Sequence, residues 1–370
     1  MDLAQITYSY KPITGGADVY AQLLRGVCED AGHPMHVYQR PRSGIADPGV
    51  RLIRSRISRL LGGRGEFWTL PLGLPGLRDE LSRYDALIVH YPNYHRFVEW
   101  HPATILISHG VFWDDRPGAL RSRIKRNLAR RAYERASLVV ANDTFFLREV
   151  GRDVAPGAEP FSEVAPGRFF FPNCVDTVQF SRGEPHPGIP RPAILVPRNL
   201  YHNRGVHLAI AAFARCAGEL EGAKLVVVGA EGQPGYLNRC RGLATELGVG
   251  QEVVFFGPAP WEQMPAVYAA GDLTLIPTLC GEGTSLSALE SMACGTATVT
   301  TDVAGLADLP TVQSAPTAEA LGAALRQAWQ DRAEIGRRQE QITRSIYNLD
   351  NWKRAWIGLL QRVGGEHPAD

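Results

Sequence analysis

The sequence predicts an α/β protein made of two doubly wound domains that face a cleft. Short apolar runs alternate with helical patterns along all 370 residues, the rhythm of parallel sheets covered on both faces. The rhythm is interrupted once, at Gly183-Glu184-Pro185-His186-Pro187-Gly188-Ile189-Pro190-Arg191-Pro192, a stretch that can form neither a helix nor a central strand. The length suits two domains of ~150 residues each. The expected division is 1–182 and 183–350, with a terminal helix at about 351–370 crossing back to the first domain.

In the first half, strands are expected at 3–8, 35–38, 86–90, 104–108, 137–141 and 168–171, with helices at 17–31 and 120–136. In the second half, strands are expected at 193–196, 224–228, 253–256, 273–277 and 297–300, with helices at 206–217, 236–247 and 318–329. From Gln330 the pattern is helical to about Val363, with a break near 348–351. The last helix carries Trp352, Trp356, Leu359, Leu360 and Val363 on one stripe, a face made to pack.

Composition narrows the function classes. A hydrophobic content of 45% with 21% charged residues is ordinary for a globular protein. A net charge of +1 argues against a general nucleic-acid binder. Six cysteines without a C-x-x-C pair argue against a zinc site or a disulfide framework and fit a reducing cytosol. No basic-then-apolar leader opens the sequence, and no apolar run approaches the ~20 residues that span a bilayer. The expected location is cytoplasmic, with peripheral contact at the inner face of the membrane as an option.

The most informative stretch is Gly281-Glu282-Gly283-Thr284-Ser285-Leu286-Ser287-Ala288-Leu289-Glu290-Ser291-Met292-Ala293-Cys294-Gly295. Leu286, Leu289 and Ala293 mark the buried face of a helix. Thr284 or Ser285 suits its N-cap and Gly295 its end. The exposed amides at such a helix start suit an anion. Glu282 precedes them and Glu290 follows about one turn later, so one elongated polar ligand can be held in three places. The competing reading of Glu290 is a capping box opened by Ser287. Glu282, between two glycines, has little structural reason to be acidic.

Other candidates surround this stretch. Gly15 and Gly16 follow the first strand and open a helix, where backbone can approach a ligand or simply make a tight turn. Arg198 and Arg204 lie beyond the first strand of the second half, placed to clamp a diphosphate by forked hydrogen bonds or to serve as surface charge. His90 and His109 end apolar strands. The G-x-G-x-x-G fingerprint of dinucleotide enzymes is absent, and Asp114-Asp115 is not a D-x-D metal motif. Two basic runs occur, one alternating with apolar residues over 51–61 and one over 121–135. The first suits an anionic membrane surface; a solvated helix face is the plainer reading.

Together these motifs resemble the retaining glycosyltransferases of the family-4 type, with the GT-B fold of two Rossmann-like domains. Glu282 and Glu290 match a Glu-x7-Glu motif, and Thr301-Asp302-Val303-Ala304-Gly305-Leu306 is similar to the T-D-V-G-G-L stretch that follows it. Asn173-Cys174-Val175-Asp176 with Phe180 resembles N-G-V-D…F, while Gly15-Gly16 and the Arg198, Arg204-Gly205 pair occupy further family positions. The resemblance implies transfer of a sugar from a nucleoside-diphosphate sugar, UDP-linked, to a hydroxyl acceptor such as a sugar, a glycolipid or a small natural product. No cofactor or metal is implied. Glu290 would bind ribose hydroxyls; Gly283, Thr284 and Ser285 would present amides to the diphosphate beside Arg198 and Arg204. Glu282 would contact the donor sugar, His109 would approach its reacting carbon, and Gly15-Gly16 would border phosphate and acceptor.

Thr284-Ser285 replaces the common Phe-Gly, Arg204 the usual Lys, and Cys174 a Gly, which leaves donor nucleotide and sugar open. Acceptor contacts would come from the loops at 39–75 and 91–102, where Tyr91, Tyr94 and Trp100, with Phe112 and Trp113 beyond them, are candidates for stacking or for the core. The competing functions are a nucleotide-sugar epimerase or hydrolase on the same fold, and a non-catalytic membrane-surface binding protein.

Overall fold

The computed structural model describes every residue except Thr14, 62–64, 116–117, 152–157 and 366–370, and the side chains of 59–61 also lie outside the described residues. It divides into two compact units, Met1–Pro172 with Asp350–Asp370, and Asn173–Leu349.

The first unit is built on an eight-stranded sheet: β1 (Leu3–Ile6), β2 (Met35–Gln39), β3 (Val50–Leu52), β4 (Ala86–Val89), β5 (Thr104–Ser108), β6 (Leu138–Ala141), β7 (Ser162–Ala165) and β8 (Arg168–Phe170). Its strand order is β3-β2-β1-β4-β5-β6-β8-β7, parallel except for the β7–β8 hairpin at one edge. The central strands β1, β4 and β5 are buried along their whole length, which is why they read as unbroken apolar runs rather than alternating ones. Helices α1 (Gly16–Asp30), α2 (Arg56–Leu61) and α3 (Leu120–Arg135) lie between the strands in sequence. Strand order reverses between β1 and β4, so the carboxyl ends of β1, β4 and β5 are where such a sheet binds ligands. Gly15-Gly16 follows β1, His90 follows β4 and His109 follows β5.

The second unit has six parallel strands, β9 (Ala193–Pro197), β10 (Lys224–Val228), β11 (Val253–Gly257), β12 (Leu273–Ile276), β13 (Ala297–Thr301) and β14 (Val312–Ser314), in the order β11-β10-β9-β12-β13-β14. The reversal here falls between β9 and β12. Arg198 follows β9 directly, and Glu282 lies in the loop after β12. Its helices include α4 (Val206–Ala214), α5 (Met264–Ala270), α6 (Leu286–Ala293) and α7 (Arg332–Ser345). The segment 173–182 packs with this unit: Val175 bridges to Asn348, and Val175 and Phe180 are buried with Leu195, Tyr268 and Leu289. Division into units therefore falls ten residues ahead of the proline-rich segment, which is a loop tied to the second unit by His186 N–H donating to the Ala266 carbonyl at 2.9 Å.

Three strands have no counterpart in the sequence reading: β3, β7 and β14. All are three or four residues long, and β3 and β7 contain no fully buried residue, so no apolar run announces them. Strand β3 also corrects the reading of 51–61 as one amphipathic surface element. Arg51 and Leu52 pair with β2, Ile53 is completely buried, and only Arg56–Leu61 is helical. Ile57 is exposed whereas Ile53 is buried, so these two apolar residues of the run do not share a face. The Arg59, Leu60 and Leu61 side chains in that call lie outside the described residues. In the second basic run, Arg121, Arg126, Arg130 and Arg131 are paired with Asp115, Glu149, Glu134 and Glu99. No helix among the described residues is long and apolar enough to cross a membrane.

The last helix, α8 (Leu349–Val363), belongs from Asp350 onward to the first unit. Trp352, Trp356, Leu359 and Leu360 are buried there. Trp356 donates its indole N–H to the Tyr20 hydroxyl at 3.1 Å and meets Phe171 edge-on. Truncating so large a buried side chain removes its transfer free energy and leaves a cavity. Trp356→Ala is expected to lower stability by about 3–5 kcal/mol, read as a fall in the urea midpoint; an unchanged midpoint would show that α8 contributes nothing to the first unit.

Candidate functional site

Helix α6 organises the site of the second unit. Ser285 is its N-cap, with extended backbone (φ −72°, ψ 122°), but the serine side chain makes no capping bond. Its hydroxyl instead accepts from Arg198 Nη2 at 3.0 Å. The cap side chain is thus diverted, and the first-turn amides are left without it. With Ser285 as cap, position N3 is Ala288, so Glu290 is not the acid of a capping box.

Glu282 is buried and holds both arginines. Its Oε1 lies 3.4 Å from Arg198 Nη2, and its Oε2 pairs with Arg204 and accepts from the Thr278 hydroxyl at 3.3 Å. This corrects the expectation that Glu282 has little structural reason to be acidic: it is the counter-ion of two guanidinium groups. The cluster carries one net positive charge beside a helix N-terminus, which favours an anion. Arg198 is buried, its Nε has no hydrogen-bond partner, and burial lowers its pKa although Glu282 opposes that. A buried guanidinium with an unused N–H is a donor awaiting an acceptor.

Neighbouring segments set this geometry. Gly205 has φ +71°, and a Cβ there would sit 1.8 Å from the Pro277 carbonyl oxygen; only glycine lets the Arg204 loop lie against the end of β12. Asn173 donates its backbone N–H to the Thr284 hydroxyl at 2.8 Å. Thr301 donates to the Thr278 carbonyl at 2.6 Å, and Gly305 N–H to the Glu282 carbonyl at 3.1 Å. The 301–306 stretch is therefore the floor of the Glu282 loop. Ala304 within it adopts φ +50°, a left-handed conformation that disfavours a side chain; glycine is the residue the related pattern has there.

Glu290 lies further along α6. The Tyr268 hydroxyl, from α5, donates to its Oε2 at 2.8 Å, and the Trp261 side chain is also hydrogen-bonded to it. Burial pushes the carboxyl up to about 7, against the opposing effects of Tyr268, Arg198 and Trp261. Tyr268 and Trp261 were not anticipated; they reach Glu290 from other segments, with no local signal.

In the first unit, Gly15 caps α1 with extended backbone, and a Cβ added there would meet nothing within 4 Å. Space rather than backbone strain distinguishes the position. Thr14 lies outside the described residues. Asp18 is buried in the first turn of α1. His90 is fully buried and its Nδ1 lies 2.9 Å from His109 Nε2. Burial holds both imidazoles neutral, lowering His109 to about 4 and His90 well below its usual range with further help from His109. Tyr94 and Trp113 are core residues, whereas Tyr91, Trp100 and Phe112 are half-buried against the same clusters. Two surface cavities of about 290 and 350 Å³ are lined by residues of α3 and its neighbours and by none of these site residues. Among the described residues, no group of three His, Cys, Asp or Glu side chains is placed to hold a metal ion.

Comparison with known proteins gives the family and the fold. Residues 14–158 match the family described as Glycosyltransferase Family 4, and residues 183–345 match Glycosyl transferases group 1. A D-inositol 3-phosphate glycosyltransferase of Mycolicibacterium smegmatis is 38% identical over 97 residues, 25% of this chain; the match spans only 21% of that relative's length. Sucrose-phosphate synthase from Thermosynechococcus elongatus superposes with a TM-score of 0.80 at 18% identity over 99% of this chain and all of that one. The Anabaena protein HepE, solved with UDP and glucose, does so at 0.74 and 18% identity over 98% and 100%. The fold is the two-Rossmann-unit GT-B fold of glycosyltransferases.

Because Arg198 is buried, removing its counter-ion leaves an uncompensated charge. Glu282→Ala is expected to cost about 3–5 kcal/mol of stability. Added pyrophosphate should restore part of the loss, read as a larger rise in thermal midpoint than in the wild type. A variant as stable as wild type, or indifferent to pyrophosphate, would separate Glu282 from the arginine pair.

Proposed function

We propose, for a chain that belongs to the glycosyltransferases of the family-4, group 1 type, that it moves a sugar from a nucleoside-diphosphate sugar, UDP-linked, to a hydroxyl acceptor, with retention at the anomeric carbon and without a metal. The observation that carries the reading is the arginine pair at the N-terminus of α6, with the cap hydroxyl turned to Arg198 and Glu290 further along the same helix.

On this reading Arg198, Arg204 and the amides of Gly283, Thr284 and Ser285 take the diphosphate. Positive charge and helix amides stabilise the nucleoside diphosphate as it departs. Glu290 accepts from the ribose hydroxyls, oriented by Tyr268 and Trp261. Glu282 contacts the donor sugar with the carboxylate it already shares between the arginines. His109 approaches the reacting carbon. The acceptor hydroxyl attacks from the face the leaving group occupies, the glycosidic C–O bond to the diphosphate breaks, and a phosphate oxygen takes the acceptor proton. The bound UDP of HepE supports a UDP donor. Gly15-Gly16, at the start of α1, borders the phosphate and the acceptor. The acceptor is a sugar, a glycolipid or a small natural product. We infer action in the cytoplasm, including the inner face of the membrane; six free thiols support a reducing compartment.

Calorimetric titration with UDP, GDP, ADP and TDP, without added metal, tests the reading. One nucleotide should bind selectively, and Glu290→Ala should weaken it. The ionised carboxylate is the form that accepts from two hydroxyls, and with its pKa at about 7 it gains charge as pH rises through neutrality. Affinity is therefore expected to increase between pH 6 and 8 in the wild type, with a smaller change in Glu290→Gln. No nucleotide binding, or identical pH profiles, would remove the donor assignment.

His109→Ala is expected to reduce turnover with little change in donor affinity, measured as UDP release from the UDP-sugar. Epimerised or fully hydrolysed donor in the absence of an acceptor would instead favour the epimerase or hydrolase alternative.

A further inference from the structure

Resting on the reading of His109 as the group beside the donor sugar, we propose that His90 is a positioning residue: it donates Nδ1–H to His109 Nε2 and so holds His109 as the Nδ1–H tautomer. His109 then meets the substrate as a hydrogen-bond donor rather than as a base.

The argument starts from register. Strands β4 and β5 are adjacent and parallel, with Val89 opposite Leu106, so the residues just beyond their ends share one edge of the sheet. His90 and His109 meet there with ring planes 26° apart and centroids at 5.1 Å. Each neutral imidazole has one N–H and one lone pair, which leaves two ways to write the 2.9 Å contact. If His109 donated from Nε2, His90 would carry its own proton on Nε2. That atom is buried and has no partner, so an N–H would be orphaned in the core. If His90 donates from Nδ1, the orphan at Nε2 is only a lone pair. Buried N–H groups without acceptors are the rarer of the two in native proteins. The second arrangement is therefore selected: it moves the proton of His109 to Nδ1, an atom of a half-buried ring that, unlike His90 Nε2, is not among the buried polar atoms without a partner, so this N–H is open to water or substrate.

A wall of aromatic rings fixes both imidazoles. Tyr20 stands edge-on to His109 at 5.0 Å and to His90 at 6.1 Å, each at 84°. Trp352 packs perpendicular to Tyr20 at 5.1 Å, and Trp356 donates to its hydroxyl. Helix α8 thus reaches the candidate catalytic histidine through one tyrosine. A fixed Nδ1–H donor suits a sugar hydroxyl or a developing negative charge on oxygen. It also agrees with a transfer in which the acceptor proton leaves on a phosphate oxygen rather than on histidine.

Nitrogen-15 NMR of full-length protein with labelled histidine reads the tautomer directly, with the His109 signals identified by their loss in His109→Ala. Without substrate, His109 should show a protonated Nδ1 and a bare Nε2; the reverse overturns the proposal. Kinetics supply the second arm, as UDP release from UDP-glucose. His90→Asn keeps an amide N–H where Nδ1 lies, whereas His90→Phe fills the space without a donor. Loss of one hydrogen bond predicts a fall in kcat of about tenfold for His90→Phe, with KM nearly unchanged, and substantial recovery in His90→Asn. Wild-type turnover in His90→Phe, or an equal loss in both variants, contradicts the proposal. A wild-type protein inactive on every nucleotide sugar would sink the proposed function, and the tautomer of His109 would then decide this proposal by itself.

Discussion

The second unit depends on a buried carboxylate shared by two arginines. Arg198 is delivered by the end of β9, Arg204 by the turn that Gly205 allows, and Glu282 by the loop after β12. Each alone would be an expensive charge to bury; together they leave one surplus positive charge at the start of α6. The surrounding bonds keep the group in place: Thr278 to the carboxylate, Gly305 to the Glu282 carbonyl, Thr301 to the Thr278 carbonyl. Removing any of the three charges changes the balance for the other two, so the ion pairs and these hydrogen bonds together hold a loop in which two glycines flank the acid.

Beyond the arginines, α6 presents a carboxylate of a different kind. Glu282 is compensated by charge, whereas Glu290 is compensated by hydrogen bonds from Tyr268 and Trp261, and burial raises its pKa to about 7. Two glutamates on one short stretch thus have different partners, guanidinium groups for Glu282 and hydrogen-bond donors for Glu290. The first unit repeats the theme with uncharged groups. His90 and His109 are kept neutral by burial and held by Tyr20, itself clamped by the tryptophans of α8. Helix α8 therefore contributes to the geometry of the histidine pair by packing on Tyr20 and through the Tyr20 hydroxyl.

Much of the fold was legible because buried parallel strands leave strong apolar runs. Strand β5 has the bounds the sequence suggests, and Lys224–Val228 likewise; most other ends shift by a residue or two, as helix and strand ends do. Strands β3, β7 and β14 were not legible, since they are three or four residues long and mostly half-exposed, so no apolar run marks them. Basic residues at 51–61 misled as well: alternation of charge and apolar side chains cannot say that Ile53 turns into the core while Arg51 sits on a strand.

At the site, the sequence by itself determined the chemical inventory: two glutamates eight positions apart, two arginines after a strand, a helix start between them, and histidines at strand ends. These follow from local pattern, which spacing and residue type carry directly. Tertiary structure decided how that inventory is spent. It assigned Glu282 to the arginines, turned the Ser285 hydroxyl from capping to Arg198, gave Glu290 its aromatic partners, and set His90 against His109. Those outcomes depend on segments separated by up to 87 positions meeting at hydrogen-bond distance, and on how far each group is withdrawn from water. Neither quantity is written in any local stretch of the chain.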